Sequence, residues 1–123
     1  MTYHYKELTV WKDAMALVTK VYTLARTFPK HEQFALTNQL TRAVVSIPAN
    51  IAEGNRRATT ADYAHFIAIA RGSLAEVETL LLIAVNLEYL SAESLVPLED
   101  PLDKLGRMLT SLHQKLKPTP AQR

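Results

Sequence analysis

Apolar residues between positions 60 and 88 recur at alternating spacings of three and four, which is the period of an amphipathic helix. One stripe consists of Ile67, Ala70, Leu74, Val77, Leu81 and Ala84. A second stripe runs beside it and consists of Phe66, Ile69, Ser73, Glu76, Leu80, Ile83 and Leu87. A helix that is apolar over so wide an arc either lies at the centre of the core or contacts another subunit, since large apolar patches on small proteins mark contacts. We favour a subunit interface on the second stripe.

Three further segments show the same period and predict helices over about residues 6–28, 34–53 and 100–117. Pro29 is expected to end the first helix and Gly54 to end the second as a left-handed cap. Thr59 or Thr60 has the side chain to cap the third helix.

The last helix is predicted to begin near Asp100, because Pro101 follows it as a proline in the first helical position follows its cap. Pro97 interrupts the pattern before that point, so a turn or short helix is expected over residues 92–98. Residues 118–123 are expected to be a frayed tail. The fold class is all-α, with four helices in one domain that spans residues 1–123.

The composition narrows the range of functions. Hydrophobic residues make up 48% of the 123 residues, which supplies one core. The chain has no cysteine, so disulfides, thiolate catalysis and cysteine-bound zinc are excluded. Neither a signal peptide nor a run of about 18 apolar residues is visible, so we expect a cytoplasmic protein. A net charge of +2 permits contact with nucleic acid without requiring it.

The segment from Ser46 to Gly54 is the locally unusual one, because Pro48 lies inside a helical pattern. Proline removes one backbone hydrogen bond and its ring presses on the preceding turn, so a kink or break is expected. The Ser46 hydroxyl and the Asn50 amide are placed to satisfy the disturbed backbone.

Polar residues on the second and third helices are expected to meet if the two helices form an antiparallel hairpin. The predicted cluster contains Arg42, Asn50, Glu53, Ser73, Glu76 and Glu78. We interpret it as a network of ion pairs and hydrogen bonds that sets register and assembly, with a catalytic acid and base as the alternative. The hairpin would bring Arg42 level with residues 71–76 and Asn50 near residues 63–67.

No enzyme chemistry is apparent. The four histidines are scattered without metal-ligand spacing, and we interpret them as surface or edge residues. The three glycines are isolated, so no phosphate-binding loop is present. We therefore expect neither catalysis nor a cofactor.

Basic residues supply the candidate contacts to nucleic acid. They are Arg56, Arg57, Arg71, Lys104, Arg107, Lys115 and Lys117. Each is either an ordinary solvated surface charge or part of a patch that an oligomer would repeat into a collar around a phosphate backbone.

Three motifs together resemble one family. They are residues 8–12 (Leu-Thr-Val-Trp-Lys), the segment from Arg42 to Gly54, which ends in Ser-Ile-Pro-Ala-Asn-Ile-Ala-Glu-Gly, and the segment from Phe66 to Glu78. The chain resembles, from about Tyr5 to Leu116, the small four-helix-bundle proteins encoded in intervening sequences of 23S ribosomal RNA genes.

The resemblance implies a left-handed up-down-up-down bundle that assembles into a homopentameric ring with a central channel. Related accessory proteins of diversity-generating retroelements imply contacts with nucleic acid and with a reverse transcriptase. The motif positions imply a role in fold or assembly for Arg42, Ser46, Pro48, Asn50, Glu53, Gly54, Ser73, Glu76 and Glu78.

Two functional hypotheses follow. The first is a non-enzymatic oligomeric scaffold that binds the backbone of RNA or DNA through the basic residues. The second is a protein–protein interaction module with no nucleic-acid role, for which charge reversal at Arg56 and Arg57 should be harmless.

Overall fold

The structure, a computed structural model, describes residues 4–117. The tail expected over residues 118–123 lies outside that range. Four α-helices span Thr9–Ala25 (α1), Leu36–Asn55 (α2), Thr60–Asn86 (α3) and Val96–Leu116 (α4). Short 3-10 helices at Tyr5–Glu7, Lys30–Glu32 and Ala92–Leu95 precede α1, α2 and α4. The described residues contain no strand, so the all-α prediction is confirmed.

Each helix packs against the one that follows it, and α1 also packs against α4, which closes an antiparallel up-down-up-down bundle around a single core. The contact between α2 and α3 is the most extensive. All six residues of the first α3 stripe are buried. Leu80 is the buried member of the second stripe, and Ile69, Glu76, Ile83 and Leu87 face outward. The first stripe therefore forms core, and most of the second lies on the surface.

The helix α2 runs past Pro48 without the expected break. The Pro48 ring is buried, and the Asn50 side-chain amide donates a hydrogen bond to the Ser46 carbonyl at 2.7 Å. The Ser46 hydroxyl donates to the Ala43 carbonyl at 2.8 Å, one turn earlier. Side-chain hydrogen bonds thus support the turns around the proline, and burial of its ring offsets part of the lost backbone bond.

The prediction that Gly54 ends α2 as a left-handed cap is wrong. Gly54 lies inside the helix, and no described glycine has a positive φ. The helix ends at Asn55, with Arg56 as its cap in right-handed helical geometry. Steric space explains the glycine instead: a Cβ built on Gly54 would lie 2.8 Å from the Phe66 Cβ and 3.0 Å from Cδ1 of Tyr63.

The last helix begins four residues earlier than the prolines suggested. Pro97 lies in the first turn of α4, where a backbone N–H has no partner to lose, and the helix continues through Pro101. The predicted start at Asp100 is therefore wrong, and the expected turn before it is the 3-10 helix Ala92–Leu95. Thr59 caps α3 as expected, since its hydroxyl accepts a hydrogen bond from the Asp62 N–H at 3.1 Å.

None of the helices within residues 4–117 combines the length with the hydrophobicity that a membrane span requires.

Candidate nucleic-acid interface and assembly surface

The register between α2 and α3 is set by small groups. The hydroxyls of Ser46 and Ser73 are hydrogen-bonded to each other across the two helices. Eight residues nearer the corner, Gly54 lets α2 approach Phe66 without a side chain between the backbones. These two contacts place Asn50 opposite the turn around Ile69, about one turn further along α3 than expected.

The predicted polar cluster is not a buried network. Arg42, Glu76 and Glu78 are exposed, and none of them forms an ion pair within residues 4–117. Glu53 is also exposed and pairs with Arg57 of the α2–α3 corner, 3.4 Å away. The size of these side chains explains their exposure. The close approach of the two helices leaves room between them for serine hydroxyls, whereas longer charged side chains extend from the edges of the helix pair into solvent. Arg42 and Glu76 line one groove beside Ser46, as the expected register implied.

Two grooves lie at one end of the bundle. A groove joins His4 and Tyr5 to Arg56 at the end of α2. A second groove joins Leu8 to Tyr63 near the start of α3 and to Lys115 near the end of α4. We call this the basic end. Its cations are Lys6, Arg56, Arg57, Lys115 and Lys117, and its carboxylates are Glu7, Glu53 and Asp62.

The opposite end is acidic. The Tyr89 hydroxyl donates a 2.7 Å hydrogen bond to Oε2 of Glu32, which joins the α1–α2 connection to the α3–α4 connection. Glu32 Oε1 accepts a hydrogen bond from the Leu36 N–H at the start of α2. The Tyr89 hydrogen bond, followed by that of Leu36, lowers the pKa of the Glu32 carboxyl, and the same carboxylate raises the pKa of Tyr89. The carboxylates at this end are Glu32, Glu88, Glu93, Glu99 and Asp100, and the cations are Arg26, Lys30 and Lys20, which lines a groove with Asp100.

The seven candidate basic residues differ in their surroundings. Arg57 lies over the Phe66 ring, 4.7 Å from its centroid, and also pairs with Glu53. Arg56 is exposed beside Glu53 in the groove with His4. The aromatic contact and the ion pair hold the Arg57 guanidinium against the α2–α3 corner.

Two candidates lie earlier along α4, and Arg107 also lines the groove that contains Leu8 and Lys115. Lys104 pairs with Asp13 of α1 at 3.3 Å, and Arg107 pairs with Asp103 one turn earlier at 3.3 Å. Both cations are neutralised locally, so their attraction for a distant anion is weaker than that of an unpaired cation.

Arg71 is placed differently from the other candidates. Its Nη1 lies 3.3 Å from Nδ1 of His113 on α4. Burial, followed by the positive charges of Arg71 and Lys117, lowers the pKa of His113. His113 was interpreted as a surface or edge residue and was not among the candidates, because its neighbour Arg71 is 42 residues away in the chain. Lys115 and Lys117 are exposed on the final turn of α4 and just after it.

Large apolar side chains are exposed on and beside α3. Leu82 is 58% and Leu87 50% exposed, and Ile69 and Ile83 are also exposed. Phe34, which precedes α2 at the acidic end, is 88% exposed. Ile69, Ile83 and Leu87 are the exposed apolar members of the second stripe, and we call these three residues together with Leu82 the α3 apolar face.

Comparison with known proteins decides the family. The model of the 23S rRNA-intervening sequence protein family matches residues 6–111. The chain belongs to this family. No curated protein is similar enough to the chain to count as a match.

A solved structure shows the same fold as this family member. It is the crystal structure of a protein with unknown function from the S23 ribosomal protein family of Bacteroides thetaiotaomicron VPI-5482. The TM-score is 0.78 at 21% sequence identity, over 86% of this chain and 99% of the other. At that identity the likeness shows the four-helix fold alone.

Proposed function

We propose that this protein is a non-enzymatic homo-oligomer that acts in the cytoplasm and binds the phosphate backbone of RNA or DNA at its basic end. The observation that carries the proposal is the separation of charge along the bundle, because a net charge of +2 understates the field at one end. The left-handed ring of five subunits with a central channel, implied by the family resemblance, is part of the same proposal. A ring would place five copies of the basic end side by side.

The kind of side chain at the basic end favours backbone contact over base reading. Lysine and arginine on helix ends contact phosphate oxygens, and such contacts release condensed counterions. Binding should therefore weaken steeply with salt and depend little on base sequence.

The test is solution mass by light scattering, followed by fluorescence anisotropy of labelled single-stranded RNA and duplex DNA across a salt series. The variant Arg56→Gln/Lys115→Gln removes two cations from the basic end. Its matched control, Arg26→Gln/Lys30→Gln, removes the same charge from the acidic end. We expect the first variant to lose affinity and to flatten the salt slope by about two, and the control to bind as the wild type does. Equal losses in both variants, or no binding at low salt, would refute the proposal.

Assembly through the α3 apolar face is supported by the surface itself. Exposed Leu82, Ile83 and Leu87 would be covered by a second copy, and Arg42 and Glu76 lack ion-pair partners within the described residues beside it. We propose that Arg42 of one subunit pairs with Glu76 of the next.

Mixing two charge-reversed variants separates pairing between subunits from pairing within one. Arg42→Glu and Glu76→Arg are each expected to assemble poorly, because like charges then face each other at every interface. Mixed in equal amounts, they should recover assembly in part, because unlike subunits can meet at up to four of the five interfaces of the ring, and they should do so only if the pair joins two subunits. If the mixture stays as dissociated as its components, the pair does not cross the interface.

The exposure of Phe34 favours a second candidate, in which the oligomer docks a protein partner such as a reverse transcriptase. In that case Phe34→Ser should abolish capture of the partner, whereas Arg56→Glu/Arg57→Glu should leave it unchanged.

A further inference from the structure

Arg71 and His113 form a contact between two basic side chains. The Arg71 guanidinium is always protonated, so it donates, and Nδ1 of His113 accepts across 3.3 Å. Lys117 follows His113 by one helical turn, and its backbone N–H bonds the His113 carbonyl at 3.2 Å. No carboxylate within residues 4–117 lies within 4.0 Å of any of these three side chains. Arg57, Lys104 and Arg107, in contrast, each have a carboxylate partner.

The charges that act on His113 come from two helices. Arg71 faces it from α3, and Lys117 acts on it from the C-terminal end of α4. His113 is half-buried, so its charged form also loses hydration. Burial and the two positive charges thus favour the neutral imidazole, and an anion bound at this place would offset those charges.

We propose that Arg71, His113 and Lys117 form a phosphate subsite in which binding of one phosphate group is coupled to uptake of one proton by His113. In the free protein, Nδ1 accepts from Arg71. With a phosphate oxygen between them, Arg71 donates to the phosphate, and Nδ1 takes a proton from solvent and donates as well. Lys117 contributes a third positive charge from the end of α4. This inference rests on the proposed nucleic-acid binding and adds that the binding depends on pH.

The sign of the effect follows from the proton balance. Phosphate binding favours the protonated imidazole, so affinity rises as pH falls through the range in which the bound form titrates. At high pH the subsite retains only Arg71 and Lys117. A phosphate that raises the pKa of His113 by one unit binds about tenfold tighter to the protonated protein.

The first experiment measures the affinity of fluorescein-labelled (dT)20 at pH 6.0 and pH 8.0 at constant ionic strength. The wild type is expected to bind about fivefold to tenfold tighter at pH 6.0. His113→Gln should reduce that ratio to about twofold or less, because glutamine keeps a hydrogen-bonding amide but takes up no proton. The control His31→Gln, at the acidic end, should retain the wild-type ratio. If His113→Gln keeps the full pH dependence, the subsite is refuted while nucleic-acid binding stands.

The second experiment uses the wild-type protein alone and needs no variant to fold. The His113 ring proton is titrated by NMR in sodium phosphate and in sodium chloride of equal ionic strength. We expect the midpoint to be higher in phosphate. An unchanged midpoint refutes the subsite. Failure of (dT)20 to bind at any pH refutes the proposed function, and the inorganic phosphate titration then decides the subsite independently.

Discussion

Gly54 is the position at which one added methyl group has the most predictable effect. A Cβ at this position would lie 2.8 Å from the Phe66 Cβ, and from Tyr63 it would lie 3.0 Å from Cδ1 and 3.2 Å from the backbone oxygen. Carbon atoms pack at about 3.5–4.0 Å, so α2 and α3 must separate locally by several tenths of an ångström. The Phe66 Cβ is attached to the backbone and cannot move aside as a side-chain end would.

The expected magnitude is a difference of two terms. Overpacking of this kind destabilises by about 1–3 kcal/mol. Alanine in place of a helical glycine stabilises by about 1 kcal/mol, because it restricts the unfolded chain. With so short a contact we expect the upper part of the overpacking range, and hence a net loss of about 1–2 kcal/mol for Gly54→Ala.

Two glycines in the same bundle provide controls. A Cβ at Gly72 would meet nothing within 4 Å, and one at Gly106 would meet only the Leu74 Cδ2 at 3.6 Å, an ordinary contact. Both lie in helices, so Gly72→Ala and Gly106→Ala should each stabilise by up to about 1 kcal/mol. Urea unfolding followed by helical circular dichroism, at one protein concentration, gives all three values. A Gly54→Ala protein as stable as the two controls would refute the reasoning from close helix approach.

Three further predictions concern a cap, a carboxylate and the two sides of α3. Thr59→Ala removes the α3 cap and should lower the free energy of unfolding by about 1 kcal/mol, measured by urea denaturation. The Tyr89 hydrogen bond is the main cause of the lowered pKa of Glu32. The ionised carboxylate therefore stabilises the fold fully at pH values above its ordinary pKa of about 4.5, and this stabilisation is lost as the pH falls through the lower pKa of the folded state. Glu32→Gln should therefore show a smaller drop in melting temperature between pH 6.0 and pH 3.5. Leu81→Ala should cost about 2–5 kcal/mol because Leu81 is 1% exposed, whereas Leu82→Ala should change unfolding by less than about 0.5 kcal/mol and lower the assembled mass.

Each of these has its own control. Thr60→Ala changes a neighbouring threonine that does not cap the helix, and a loss equal to that of Thr59→Ala would contradict the capping account. Glu93→Gln removes an exposed carboxylate from the same end as Glu32, and it should leave the acid-dependent drop unchanged. Equal destabilisation by the Leu81 and Leu82 variants would show that the face carrying Leu82 belongs to the core.

Much of the fold followed from local signals. The three- and four-residue spacing of apolar side chains predicted four helices, and the first α3 stripe is the buried one. A cap at Thr59 or Thr60 was predictable because capping acts within three residues, and the structure shows that Thr59 is the cap. The wrong predictions concern residue types that occur in more than one structural role. Gly54 is a residue typical of a cap but provides space for Phe66. Pro97 is compatible with the first turn of α4 because the first helical N–H groups have no partner, whereas Pro101 lies inside the helix.

The candidate site was less predictable than the fold. The sequence supplied the basic residues, but not the carboxylates that neutralise Lys104 and Arg107, nor the histidine beside Arg71. Arg42 and Glu76 were predicted to come together, and they line one groove. The prediction that the polar cluster is buried failed, because long charged side chains at the edge of a helix pair reach water more easily than they pack between the helices.

The sequence by itself determined the helices, because hydrophobic period, capping and the absence of strand patterning act over a few residues. Only the tertiary structure decided which charges are neighbours. The α2–α3 approach at Gly54, the Arg71–His113 contact and the Tyr89–Glu32 bond each join residues from different helices or connections, and the rotation and register of packed helices place them together. Chain folding thus turned a modest net charge into one basic end and one acidic end.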